Sequence, residues 1–343
     1  MAPSIGGSCV PKRVTLKEVA KAAGVSLASA SYAVNKTGSL GEETRLHILR
    51  HAEELGYRQN LSAKATRTGR TGAIGLVVPD LTNPFFPSLA QSVVQRARHH
   101  GYGVFVTDTE GVDEQEIAAI RMLAERGVDG IVWFPIRDVN TAASLLPGIP
   151  TVVIDRTLPG IESIQADYAG GGLAAVTHLI ELGHRDIGVV CGPMDILSMR
   201  DRCEAGIAAI EKKAKLAFVV ENGFSIDLEP QVTAAIAGRT ASAVFVGADL
   251  IAVGVMRHAQ HLGLTIPGDL SVIGFDDIPW AQMSVPTLST IEMPLEEMAS
   301  EAVDALLRRI DESTDLRRRV VFDTALIVRG STAPPRPLPA VST

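Results

Sequence analysis

The sequence predicts a small all-α headpiece joined by a short linker to a larger α/β body of two lobes, each built on a parallel sheet. Three observations predict it. Residues 15–56 carry apolar side chains at helical spacing. From residue 73 onward, short β-branched runs alternate with amphipathic helices, the grammar of βαβ units. Charge divides the chain at the same place: residues 1–72 hold 11 lysines and arginines against 5 glutamates, +6, and the remainder hold 21 against 34 acids, −13. At 343 residues the chain exceeds one typical core, so two or three cores are expected. A basic front on an acidic body suits a module that meets polyphosphate, although a solvated surface would carry the same charge.

The expected organisation is a disordered N-terminal extension (1–13), a helical domain (14–59), a hinge (60–71), a two-lobed body (72–332) and a disordered Pro-rich tail (333–343). In the front domain, Thr15 precedes Leu16, Val19, Ala20 and Ala23, with Glu18 placed to complete a capping box; Gly24 stops this helix. Ser26 opens a second helix bearing Leu27, Ala30, Ser31 and Val34. A third runs from about Glu42 to Leu55 with Leu46, Leu49 and Ala52 on one face. Body strands are expected at 74–78, 104–107, 130–134 and 151–154, then at 187–191, 219–220, 243–246 and 271–275. Helices are expected near 84–99, 113–126 and 141–146, then near 169–182, 200–213, 231–238 and 249–262. Two successive lobes of this kind place the carboxyl ends of their strands at a shared cleft, where such sheets bind ligands.

Several function classes are not supported. The three cysteines, Cys9, Cys191 and Cys203, have neither a paired framework nor metal-ligand spacing. His178 and His184 lack a partner at ligand spacing, and Gly170–Gly172 are not followed by a phosphate-loop signature, so no metal and no cofactor is expected. Without an apolar leader or a membrane-length apolar stretch, the expectation is a cytoplasmic protein. No nucleophile motif or paired-carboxylate pattern argues for an enzyme.

The segment VTLKEVAKAAGVSLASASYAVN has what a helix-turn-helix requires: Ala20 where two helices cross closely, Gly24 in the turn, Val25 and Val34 to pack the pair. Together with TGRTGAIGLVVPDLTNPFF (68–86), IDR (154–156), GGLAAVTHLIELGHRDIGVV (171–190), GADLIAVGV (247–255), IPGDLSVIGFDDIPWA (266–281), PTLSTI (286–291) and LIVRGST (326–332), it resembles the lac, gal and purine repressor family of bacterial regulators from about Val14 to Thr332. The resemblance implies a helix-turn-helix headpiece and two periplasmic-binding-protein-like lobes. It further implies a homodimer on a near-palindromic DNA operator and transcriptional repression controlled allosterically by a small effector, a sugar first of all.

On that template Leu27, Ala28 and Tyr32 fall where the family reads bases, with Ser29 beside them. Thr15, Ser26, Ser31, Asn35, Arg45, Tyr57 and Asn60 are candidates for phosphate contact; Ser26 reads equally well as a helix cap. Many members place a long polar side chain where this chain has Tyr32, so operator sequence does not transfer. In the hinge, Asn60, Ala63 and Thr66 follow the family pattern, except that Thr66 occupies the place of a leucine that wedges into the minor groove.

Strand-end loops supply the other expected constellation: Asp80, Asn83, Phe85 and Phe86 from the first lobe, Asp155 and Arg156 near the crossover, and Ser198, Arg202, Phe245, Asp249 and Asp276 from the second. Carboxylate and guanidinium groups beside an aromatic face suit a polyol ring, although Phe85 and Phe86 also fit plain core packing. Ile196 stands where purine-binding members keep an arginine, which argues against a nucleobase. A solute-binding protein would share the body but lack the basic front, and a DNA-binding protein that ignores ligands would keep the front with a filled cleft; dependence on a partner protein is the other alternative to control by a sugar.

Overall fold

The structure, a computed structural model, describes residues 14–35, 37–58, 69–138, 144, 146, 148–312 and 317–336. The expected N-terminal extension, the hinge candidates Asn60, Ala63 and Thr66, most of the expected 141–146 helix and the last seven residues lie outside the described residues. Chain contacts divide at Thr71/Gly72 into two units.

In the first unit, helices α1 (Leu16–Ala22), α2 (Leu27–Asn35) and α3 (Glu42–Glu54) surround a core of small side chains, Val19, Ala20, Ala23, Ala30, Ala33, Ile48 and Ala52. The Thr15 hydroxyl accepts the Glu18 N–H while the Glu18 carboxylate accepts the Thr15 N–H, closing the capping box. Gly24 turns the chain at φ 64°, a conformation that costs a side chain. Two packing expectations need correction. Ile48, not Leu46, faces the core, and Leu46 is exposed; Val34, expected to pack the helix pair with Val25, is half-buried, while its neighbour Ala33 is fully buried. Helical period decides the α3 case, since Ile48 lies one turn before buried Ala52 while Leu46, six residues before it, falls off that face.

The second unit begins with β1 (Ala73–Val78), α4 (Phe85–His99), β2 (Gly103–Asp108), α5 (Asp113–Glu125), β3 (Gly130–Trp133), β4 (Thr151–Ile154) and β5 (Glu162–Ala166). It continues with α6 (Tyr168–Glu181), β6 (Asp186–Cys191), α7 (Leu197–Lys213), β7 (Lys215–Glu221), α8 (Pro230–Ala237), β8 (Ala243–Val246), α9 (Asp249–His261) and β9 (Ser271–Ile273). The remaining elements are α10 (Pro279–Met283), β10 (Thr290–Glu292), α11 (Leu295–Glu312), β11 (Arg319–Phe322) and β12 (Ala325–Ile327). One sheet has the order β11-β5-β4-β3-β1-β2 and the other β7-β6-β8-β9, and all pairs within both are parallel. β10 and β12 form an antiparallel ribbon.

The lobes are not successive, as the alternation suggested. α11 packs on β3, β4, β5 and α4, and β11 joins β5, so both belong to the first lobe although they follow the second in sequence. The chain therefore passes between lobes three times, after β5, after β10 and after β11. Asp155 and Arg156 directly follow β4 inside the first lobe, one strand before the crossover they were expected to lie near. β5 escaped notice because its side chains Glu162, Ser163 and Gln165 are polar yet buried. They are partnered as buried polar groups must be: Gln165 donates to the Thr157 hydroxyl and accepts from Arg319.

The boundary of the expected tail also moves. The Ala333 carbonyl accepts from the Ser271 hydroxyl and lies 2.9 Å from His184 Nε2, and Arg336 pairs with Asp269 at 2.8 Å, so residues 333–336 are part of the body.

Candidate functional site

In the headpiece, α2 buries Ala30 and Ala33 and leaves Leu27, Ala28 and Tyr32 exposed, with Ser31 and Asn35 half-buried. Leu27 and Tyr32 are 53% and 46% exposed, so neither side chain is committed to the headpiece core. The Tyr32 ring lies against Gly38 in the following turn. Asn35 donates its amide to the Ser31 carbonyl at 2.8 Å and to the Ser31 hydroxyl at 3.1 Å. Ser26 accepts the Ser29 N–H at 3.0 Å, so it caps α2, and Ser29 is half-buried. Arg45 and Tyr57 are half-buried as well; Tyr57 packs on the small core, and burial pushes its phenol pKa up.

In the body, the carboxyl ends of the strands open on a cavity of about 320 Å³, within the usual range for small-molecule sites. Asp80 and Asn83 reach it from the β1–α4 turn, Phe85 and Phe86 from the start of α4, Asp155 and Arg156 from just past β4, Ser198 and Arg202 from α7, and Asp276 from the loop after β9. Asp80 Oδ1 accepts from the Thr82 N–H and hydroxyl, and Asn83 Oδ1 accepts the Phe85 N–H, so each shapes its own turn while facing the cavity.

Phe85, Phe86 and Phe134 pack edge to face with centroids 4.9–6.0 Å apart, and the Arg156 guanidinium lies 5.1 Å above the Phe134 ring. Ser198 links the lobes: its hydroxyl accepts from Arg156 Nη1 and donates to Asp155 Oδ2, each at 3.0 Å. Tyr168 donates its hydroxyl to Asp155 Oδ1, and Arg156 pairs with the same carboxylate. Arg202 donates to the carbonyls of Ser198 and Gly247 and to Asp276 Oδ1, the last two at 2.9 Å. Its guanidinium sits 4.0 Å from the Phe275 centroid and 5.0 Å from that of Tyr168.

Burial controls the electrostatics. It lowers the Arg156 pKa to about 10 and raises that of Tyr168 to about 12. Asp276 is raised to about 6, because loss of solvent outweighs its ion pair with Arg202. Asp155 and Asp276 hold φ values of 71° and 112°, backbone strain of the kind that concentrates at binding sites. Arg156 Nε is buried with no hydrogen-bond partner among the described residues, a donor that a ligand hydroxyl would satisfy.

These two constellations find counterparts in known proteins. A family model described as bacterial regulatory proteins, lacI family, matches residues 15–60, and a periplasmic binding protein-like domain matches residues 176–332. The ribose operon repressor of Halalkalibacterium halodurans is 32% identical over 325 residues, covering 93% of this chain and 97% of that protein. The chain belongs to the lacI family of bacterial regulatory proteins. The transcriptional repressor PurR of Edwardsiella ictaluri, another relative, is 32% identical with 93% and 97% covered. The lac repressor dimer bound to operator and the anti-inducer ONPF superposes with a TM-score of 0.82 at 25% identity, covering 94% of this chain and 100% of that one. A lacI-family regulator from Enterococcus faecium with bound ribose gives 0.69 at 28% identity, covering 76% and 99%.

Within this lacI-family frame, two expected cavity residues are misplaced. Phe245 is fully buried in β8 with its ring against Gly206 of α7, because strand alternation turns it into the core. Asp249 is also fully buried and one layer behind the cavity. Its oxygens accept from the Thr290 hydroxyl at 2.7 Å and the Ile278 N–H at 3.1 Å, fixing the loop that carries Asp276. Burial, reinforced by the nearby Asp276 charge, holds its pKa well above the carboxylate range. Sequence reasoning missed Phe134, Arg137, Asp195, Met199 and Phe224, which also line the cavity. The signal for Phe134 and Phe224 was present: each lies just past the carboxyl end of a parallel strand. Gly172 proves to be a packing residue, since a Cβ there would drive into the Arg202 carbonyl where α6 and α7 touch.

Proposed function

We propose that this lacI-family transcriptional regulator acts in the cytoplasm as a homodimeric repressor that reads operator DNA through α2 and the hinge, and that a sugar bound in the body cavity controls its affinity for that DNA. The observation that carries the reading is the cavity itself: buried Asp155, Arg156 and Arg202 with half-buried Asp276 around an aromatic wall, and an Arg156 Nε donor unanswered among the described residues. Hydroxyl groups donate to such carboxylates and accept from such guanidinium groups, and a ring's C–H face lies on the phenyl groups. The mixture of lining acids and guanidinium groups favours a neutral polyol over an anion. The ribose operon repressor and the ribose-bound E. faecium regulator make pentoses the first compounds to try.

Differential affinity of the sugar for two orientations of the lobes supplies the switch. The test pairs calorimetry against pentoses, hexoses and nucleosides with operator selection from a random DNA library, run with and without each binder. Binding of a sugar together with a change in the DNA retained supports the reading. DNA retention that ignores every sugar leaves a ligand-independent regulator, and an absence of DNA retention rejects the role of α2.

A further inference from the structure

At the mouth of the cavity the lobes touch through side chains that the cavity floor does not require. Arg137, just past β3 in the first lobe, donates from Nη1 to Asp195 Oδ2 at 2.7 Å in the second, with its Nε 3.5 Å from Asp113 Oδ1. The next residue, Asp138, accepts the Leu197 backbone N–H on Oδ2 at 2.6 Å. Leu197 is the first residue of α7, and the N-cap position before it is Ile196, whose side chain has nothing to accept with. The first N–H groups of a helix lack intrahelical partners and form the positive end of its dipole. The carboxylate that answers them here comes from the opposite lobe.

We infer that Arg137, Asp138 and Asp195 form an inter-lobe clasp that caps α7 in trans, so that closing the lobes and ordering the effector-facing end of α7 are one event. Ser198, which joins Asp155 and Arg156, follows Leu197 directly, and Arg202 lies one turn further on. Separating the lobes removes the cap from the turn that positions both. The clasp rests on the proposed effector role only for its consequence; its contacts run from protein to protein. Its two parts are unequal. Arg137 and Asp195 are each more than half exposed, at 53% and 57%, so their pair is weak and screened by salt. Asp138 is half-buried and its bond is charge-assisted, so it dominates.

Amide hydrogen exchange at Leu197 in the full-length protein without added ligand tests this. Asp138→Ala should speed exchange at Leu197 by about ten- to hundredfold, and Asp138→Asn, which keeps an acceptor, should recover part of the protection. Arg137→Ala should speed exchange at the same amide roughly two- to fivefold, although it does not touch it, and added salt should erase the difference. Protection in β8 should stay at the wild-type value in all three. Leu197 exchange unchanged in Asp138→Ala overturns the clasp, as does Arg137→Ala leaving Leu197 unaffected at low salt. If Asp138→Ala loses protection throughout the second lobe, Asp138→Asn and Arg137→Ala decide the matter. Failure of the sugar reading would appear separately, as an absence of heat in calorimetry while Leu197 still responds to these substitutions.

Discussion

On α2 the side chains turned toward solvent, Leu27, Ala28 and Tyr32, support no core, whereas the side chains around the cavity hold two lobes together as well as facing a ligand site. Arg202 alone ties α7 to Gly247, Asp276 and two aromatic rings. The difference teaches where function and stability separate. A surface that meets a charged polymer can be rewritten one residue at a time. A cavity lined by buried charges changes its ligand and its stability together.

The largest test of that contrast is Arg202→Ala, which strands Asp276 without its cation. It should destabilise the body by about 3–5 kcal/mol in urea unfolding. A loss below about 1 kcal/mol would mean that the cavity charges carry little of the fold. Next is the pH dependence from Asp276. Its folded pKa of about 6 lies above its ordinary value, so it contributes stability in full below about pH 4, and that contribution disappears as pH rises through 6. Between pH 4 and 7 the wild type should lose about 2–3 kcal/mol more than Asp276→Asn does. Parallel pH curves for the two proteins would refute the assignment.

Tyr32→Ala takes the comparison to the headpiece. Operator affinity should drop by about 1–3 kcal/mol, read by fluorescence anisotropy, while unfolding of the protein shifts by less than about 0.5 kcal/mol. Comparable losses in both would place Tyr32 with the cavity residues instead. The smallest effect is expected for Thr66→Leu, which restores a wedge at the hinge position and should raise DNA bending and operator affinity severalfold, visible in gel mobility with permuted sites. An unchanged bend would count against a wedge role at that position.

Much of this architecture was legible because its periods are plain. The capping box at Thr15 and Glu18, the β-branched runs of β1, β6 and β8, and the convergence of Asp80, Asn83, Asp155, Arg202 and Asp276 all follow from local pattern and from the habit of parallel sheets to bind at their carboxyl ends. Phe245 was misassigned because its direction depends on which side of β8 faces α7, and Asp249 because its partners Ile278 and Thr290 come from distant segments; both are tertiary facts. β5 was hidden by polar side chains whose burial only their partners make tolerable. The clasp was invisible for the same reason: nothing local to Arg137 or Asp138 announces that α7 will arrive beside them.

The three passages between lobes bear on how the protein is made. α11 and β11 complete a first lobe whose other strands end at Ala166, and β11 reaches only to Phe322. At about 5–20 residues per second, a ribosome takes roughly eight to thirty seconds between those points. For that time the flank of β5 and the faces of β3 and β4 that α11 will cover are exposed to whatever else is nearby, an open sheet edge on a nascent chain. Fragments ending before β11 should therefore be chaperone clients rather than smaller regulators, and a gene cut after β5 yields a first half without α11 and β11.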